Sequence, residues 1–235
     1  MKNLLISGLN GFVGYNLQSY IGKNNNYNII GFNREIKSSQ LNSIDVVIHL
    51  AGKSHDLKNK SNFNDYYNSN FLLTKKIFDE FLNSEANTFI FMSSVKAVAD
   101  SSDIALDEKC IPSPISDYGK SKLLAEQYLL NNISSNKSLY ILRPCMIHGP
   151  KNKGNLNLLS NLISKRIPWI LGSYNNNRSF CSVNNLCFVI KHLIDSEVIL
   201  NGIYNVSDDH PLSTNDIIGL ISDSQNKKTL IWNIP

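Results

Sequence analysis

The first twenty-one residues constrain the fold more than any other stretch. Lys2-Asn3-Leu4-Leu5-Ile6-Ser7 reads as a short apolar strand. It runs into Gly8-Leu9-Asn10-Gly11-Phe12-Val13-Gly14, with a glycine at every third position, and the pattern then turns helical over Tyr15 to Ile21. A strand, a glycine turn and a helix in immediate succession aim N–H groups and the helix dipole at an anion. Gly8 permits the tight turn, Gly11 leaves room for a pyrophosphate, and Gly14 lets the helix pack closely on the strand. The spacing is not the G-x-G-x-x-G of the commonest dinucleotide fingerprint, yet a dinucleotide cofactor is the expected ligand, held by Gly8, Gly11, Phe12, Val13 and Gly14.

Strand-like runs at Ile29 to Phe32, Asp45 to Leu50, Thr88 to Met92, Leu139 to Arg143 and Gly202 to Val206 alternate with helical patterns, the longest over Asn68 to Asn83 and Ser116 to Asn132. Such alternation predicts an α/β doubly wound parallel sheet. A chain of 235 residues with 42% hydrophobic content buries one large core beside a smaller lobe. We expect residues 1–145 to form the dinucleotide-binding domain with the catalytic residues. Residues 146–235 are expected to mix substrate-lobe segments with a returning strand and helix. The net charge of +4 is modest and the basic residues are scattered, which argues against nucleic-acid binding. No apolar run approaches the ~18 residues of a membrane span, and the chain enters a strand without a signal sequence, so a cytoplasmic location is expected. Cys110, Cys145, Cys181 and Cys187 lack close metal-ligand pairing and read as buried free thiols, with no metal site.

Tyr118-Gly119-Lys120-Ser121-Lys122 carries the chemistry. On a helix, Tyr118 and Lys122 share a face one turn apart. An ammonium beside a phenol favours the phenolate, so the spacing predicts a lowered Tyr118 pKa and a hydroxyl able to give or take a proton.

With Ser93-Ser94 after the strand Thr88 to Met92, these motifs resemble the extended short-chain dehydrogenase/reductase family. The resemblance extends over His49-Leu50-Ala51-Gly52, Asn70, Arg143-Pro144 and Gly149-Pro150, and it is nearest to the sugar-nucleotide epimerases, dehydratases and 4-keto reductases. It implies a Rossmann-like sheet and a homodimer through helices 68–83 and 116–132. It also implies roles. Ser94 would hydrogen-bond the substrate carbonyl, Tyr118 would donate the proton, and Lys122 would serve both the tyrosine and the nicotinamide ribose. Leu50, Ala51, Gly52, Asn70, Ser93 and Pro144 would line the cofactor. The segment Arg178 to Leu186 is similar to the family's clamp over a sugar nucleotide, which sets Arg178 on the diphosphate of a UDP-sugar, with Lys96 and Asn155 also on the substrate.

The second strand ends in Gly31-Phe32-Asn33-Arg34 without an acid for the ribose 2′-hydroxyl. Asn33 tolerates a 2′-phosphate and Arg34 binds one, so NADP is expected, with NAD as the alternative. Val95-Lys96 stands where dehydratases of the family carry Asp-Glu, which disfavours dehydration. Segments 49–55, 93–96 and 151–159 resemble reductases of UDP-4-keto-6-deoxy-N-acetylhexosamines in surface-polysaccharide synthesis. Reduction of such a 4-keto group is the expected activity. The alternatives are a UDP-sugar 4-epimerase with tightly bound NAD and a dinucleotide-binding protein without catalysis. Two departures from the family stand out. About ten residues between Arg34 and Asp45 are too few for the usual helix and strand, which leaves the adenine side open. The chain also stops at Pro235, short of the family's usual length, so part of the sugar-binding lobe is expected to be missing.

Overall fold

The computed structural model describes residues 1–22, 25–32, 37–54, 62–152, 154–174, 176–196 and 198–233, with only the backbone of Asn155. In chain order the elements are β1 (Lys2–Ser7), α1 (Phe12–Ile21), β2 (Tyr27–Phe32), β3 (Val46–His49), α2 (Phe63–Tyr66), a π-helical turn (Tyr67–Leu72) and α3 (Leu73–Leu82). They continue with β4 (Thr88–Met92), α4 (Asp117–Asn132), β5 (Ser138–Pro144), β6 (Met146–His148), α5 (Asn155–Ser164), β7 (Phe180–Ser182), α6 (Val183–Asp195), β8 (Gly202–Val206) and α7 (Thr214–Ser224).

Six strands pair in parallel in the order β2-β1-β3-β4-β5-β8. Strands covered by helices on both faces read as continuous apolar runs. Accordingly, every residue of β3 is buried, as are Phe89, Ile90, Phe91 and Met92 of β4. One face of the sheet packs Leu5, Val47, Phe89 and Ile141 against Ile77, Phe78 and Phe81 of α3 and Ala125 and Leu129 of α4. Because the chain leaves β1 toward β2 on one side and later returns to β3 on the other, the carboxyl ends of β1 and β3 flank the switch point where such sheets bind ligands.

The connection from β2 to β3 holds one 3₁₀ turn, Ser38–Leu41, among its described residues, and β2 is an edge strand. The short spacer read from the sequence therefore leaves the sheet without a further strand on that side among the described residues. Asn33 and Arg34, on which the NADP expectation rests, lie outside the described residues. The continuous helix expected over 68–83 is instead a π-helical turn followed by α3, for a reason that emerges at the site.

The chain divides into two units: residues 1–145 with 183–206, and residues 146–182 with 207–235. The first contains the six-stranded sheet. In the second, β6 and β7 form a parallel pair, and α5 packs on α7. Among the described residues no helix is long and apolar enough to cross a membrane. None of the four cysteines is in a disulfide; Cys181 and Cys187 are buried as expected, whereas Cys110 and Cys145 are only half-buried.

Candidate functional site

The glycine turn is built for close backbone approach. Gly8 has φ +72°, and a Cβ there would lie 2.8 Å from the Ala51 nitrogen. At Gly14 a Cβ would fall under 3.0 Å from the Gly8 carbonyl oxygen and from Leu9. Only glycine lets α1 start this near β1 and lets the turn press against the loop after β3. Gly11 caps α1 in an extended conformation and its N–H reaches the Gly8 carbonyl at 2.9 Å. No side chain caps α1. The half-buried Phe12 and Val13 open the helix, so their N–H groups have no acceptor within the first helical turn. This backbone cradle fits the pyrophosphate of a dinucleotide. Half-buried Leu50 and Ala51 and exposed Gly52 form the facing wall.

Past β4, Ser94 caps the 3₁₀ turn Val95–Ala97, its Oγ accepting the Lys96 N–H at 3.2 Å. Opposite stands α4, started by Ser116, whose Oγ accepts the Gly119 N–H at 3.1 Å. Asp100 braces this start by accepting the N–H groups of Ile115 and Ser116, both at 2.8 Å. Gly119 is a residue to which sequence spacing assigns no role. A Cβ on it would sit under 3.0 Å from the Lys96 carbonyl oxygen and 2.9 Å from Pro114 Cβ, so glycine is what brings α4 against the Ser94 turn.

Tyr118 and Ser94 are thereby within hydrogen-bonding reach. The Tyr118 pKa departs from expectation: burial pushes it up to about 12, the Ser94 hydroxyl opposes the rise, and neighbouring Tyr66 adds to it. Lys122 does not lower it. Its ammonium donates to the Met92 carbonyl at 2.7 Å and lies 4.8 Å from the centre of the Phe91 ring. Burial brings the Lys122 pKa down to about 8, against the pull of Glu126. Tyr118 is therefore a phenol at neutral pH, able to donate a proton, beside an ammonium close to titrating.

Behind the pair lies a buried ionic cluster that the sequence motifs do not announce. Glu126 follows Lys122 by one turn of α4, and Arg143 is the last residue but one of the buried strand β5. Arg143 Nε donates to Glu126 Oε1 and Oε2 at 3.0 and 3.2 Å, and Nη2 to Oε2 at 2.5 Å. Ser93 Oγ also donates to Glu126 Oε1. Ser93, expected beside the cofactor, is thus engaged inward, while Pro144 is buried at the strand end. Asn70, also expected at the cofactor, is fully buried with its amide engaged by the protein. Its Oδ1 accepts the Lys53 N–H at 2.7 Å, and its Nδ2 donates to the Lys53 carbonyl at 3.0 Å and Ser121 Oγ at 2.9 Å. The π-helical turn adds the residue that swings Asn70 inward, which explains why the helix is not regular there.

Of the expected substrate residues, Lys96 is exposed beside Ser94 in the first unit. The other two belong to the second unit. Arg178 is exposed, and its backbone pairs with Leu212 through N–H to carbonyl bonds of 3.0 and 2.9 Å; Asn155 begins α5. That unit also holds a pair with no sequence signal: His148 Nε2 lies 3.3 Å from Asp208 Oδ2.

The profile of the NAD dependent epimerase/dehydratase family matches residues 4–207. A UDP-glucose 4-epimerase of Vibrio cholerae is 30% identical over 259 residues, covering 100% of this chain and 78% of that protein. An N-acetyl-alpha-D-glucosaminyl-diphospho-ditrans,octacis-undecaprenol 4-epimerase of Escherichia coli O157:H7 is 29% identical over 253 residues, covering 99% and 75%. Among solved structures, the UDP-glucuronic acid 4-epimerase of Bacillus cereus, in complex with UDP-glucuronic acid and NAD, superposes with a TM-score of 0.85. It is 21% identical, with 97% of this chain and 85% of that one covered, a likeness of fold.

Proposed function

Since the chain belongs to the NAD dependent epimerase/dehydratase family, we propose that it is a nucleotide-sugar 4-epimerase working with a nicotinamide dinucleotide. The observation that carries this reading is the meeting of Ser94, Tyr118 and Lys122 in the unit that also holds the glycine cradle. Two curated relatives near 30% identity bear names of 4-epimerases, which favours epimerisation over the 4-keto reduction that the sequence segments suggest.

When bound, the oxidised nicotinamide would accept the hydride and give it back. The protein's own work is proton transfer and orientation. In this reading Ser94 donates a hydrogen bond to the sugar O4, and Tyr118, having first lost its own proton, takes the O4 proton as the keto form arises and returns it afterwards. Lys122 would exchange its bond to Met92 for the ribose, and its charge would stabilise Tyr118 as the phenolate that accepts this proton. Gly8, Gly11, Phe12, Val13, Gly14, Leu50, Ala51, Gly52 and Pro144 would hold the dinucleotide. In the first unit Lys96 serves the sugar beside Ser94, and in the second Arg178 offers forked bonds to a diphosphate.

The test is to incubate the protein with UDP-glucose and UDP-N-acetylglucosamine and resolve the products by NMR. Interconversion of 4-epimers without net consumption of added NADH or NADPH is expected. Stoichiometric NADPH oxidation with a UDP-4-keto sugar, and no epimer, would replace this reading by the reductase. That outcome would return the 2′-phosphate to Arg34.

A further inference from the structure

His49 is fully buried, stacked 5.7 Å from Phe91, and has no part in the chemistry above. Its proton inventory fixes its tautomer. Thr74 Oγ1 donates its one proton to the Asn70 carbonyl at 2.5 Å, so it must accept from His49 Nε2–H at 2.9 Å. Nδ1 is then bare and accepts the Ser7 hydroxyl at 2.6 Å. Ser7 Oγ in turn accepts the N–H groups of Leu50 and Ala51, both at 3.1 Å. At the other end Asn70 grips both the N–H and the carbonyl of Lys53 and donates to Ser121 Oγ, whose hydroxyl donates to the Tyr118 carbonyl at 2.7 Å. From the Leu50 and Ala51 amides to the Asn70 carbonyl, every bond donates in the same direction.

We propose that Ser7, His49, Thr74 and Asn70 form a positioning relay that fixes the backbone of residues 50–53 at the dinucleotide crevice and ties it to the turn of α4 that carries Tyr118. The inference rests on the dinucleotide reading of that crevice for its ligand, but its geometry stands independently. All four polar side chains are buried, His49 against Phe89 and Phe91, where apolar groups would be buried at less cost. Satisfied in full, such a chain rigidifies what it connects. It also requires a neutral His49, because an imidazolium would present a second donor to a Ser7 oxygen already accepting two N–H groups. Burial, aided by the charge of Lys122, holds the His49 pKa down to about 3, so the relay persists across the working pH range.

Thr74→Val removes the hydroxyl at nearly constant volume. Amide hydrogen exchange of the full chain should show residues 50–53 exchanging about tenfold faster or more, while β4 and β5 keep their protection. Calorimetric titration with NAD should show about a tenfold rise in the dissociation constant, since two buried groups lose their partner. Thr74→Ser, which keeps the hydroxyl, should return both readouts to within about twofold of wild type. If Thr74→Val does not fold, Ser121→Ala breaks the far end of the chain with the loss of one hydroxyl and should also speed exchange at 50–53. Exchange at 50–53 that stays at the wild-type rate in a folded variant, or rises only in step with global stability, overturns the relay. Wild type that binds neither NAD nor NADP would end the dinucleotide reading, and the exchange measurement, which needs no ligand, would still decide the relay.

Discussion

Lys122 shows how far a functional position departs from what stability alone would choose. Its ammonium is buried with the Met92 carbonyl as acceptor, and its pKa falls from 10.5 to about 8. Below pH 8 both folded and unfolded states hold the proton, and the folded state carries the full desolvation cost. Between about 8 and 10.5 the folded state sheds the proton first, so stability rises with pH; above that range the cost is gone. Lys122→Met should therefore raise stability below pH 8, by at most about 3 kcal/mol, and the gain should vanish by pH 10.5. Denaturant titrations of both proteins at pH 7 and pH 10.5 check this, and an equal difference at the two values would refute the assignment of cost to the buried charge. The same residue should set the basic limb of kcat/KM near pH 8, because its deprotonation removes the charge that stabilises the Tyr118 phenolate. Tyr118→Phe should lower kcat by about a hundredfold or more while leaving NAD affinity within about twofold, since only the proton carrier is lost. A variant that keeps most of its rate would remove Tyr118 from the chemistry.

At the scale of elements, α4 is placed by its approach to the turn that carries Ser94. Gly119→Ala would set a Cβ under 3.0 Å from the Lys96 carbonyl oxygen, a backbone atom that cannot yield. The helix must shift, at a cost of about 1–3 kcal/mol, and Tyr118 must move off Ser94. We expect a lower denaturation midpoint together with a loss of kcat that exceeds any rise in KM. Unchanged stability and rate would show that the two elements are not held by this contact. Helix α4, like β1 with its glycine turn and α1, was legible in the sequence because a change of period and a cap or glycine mark each boundary locally. The π-helical turn was not, since residues 63–82 keep a helical apolar pattern whether or not one extra residue is inserted, and only the burial of Asn70 among Lys53 and Ser121 reveals it. Strands β6 and β7, of three residues each, are too short to display any alternation. Helical spacing sets Tyr118 and Lys122 on one face, and the family resemblance adds Ser94, whereas the pKa of Tyr118, the partners of Glu126 and the use of His49 depend on residues distant in sequence.

At the scale of the whole molecule, α2, the π-helical turn and α4 share a run of aromatic rings. Phe63 meets Tyr67 at 5.7 Å, Tyr67 meets Phe71 at 5.1 Å, and Phe71 meets Tyr128 of α4 at 6.1 Å. Phe63 is 38% exposed, and Leu72 and Leu130 nearby in these helices are 40% and 42% exposed. Large apolar side chains left half in water along two neighbouring helices are what a second copy would cover, because a stable interface needs a central apolar patch of aromatic and aliphatic residues. We therefore expect the protein to run as a homodimer at micromolar concentration through helices 68–83 and 116–132. Static light scattering checks the mass of the wild type, and the double variant Leu72→Lys with Leu130→Lys should shift it to that of one chain. Neither side chain belongs to the cofactor crevice, so the monomeric variant should bind NAD within about threefold of wild type. A wild-type mass of one chain under these conditions, or a dimer that survives both lysines, would move the interface away from these helices.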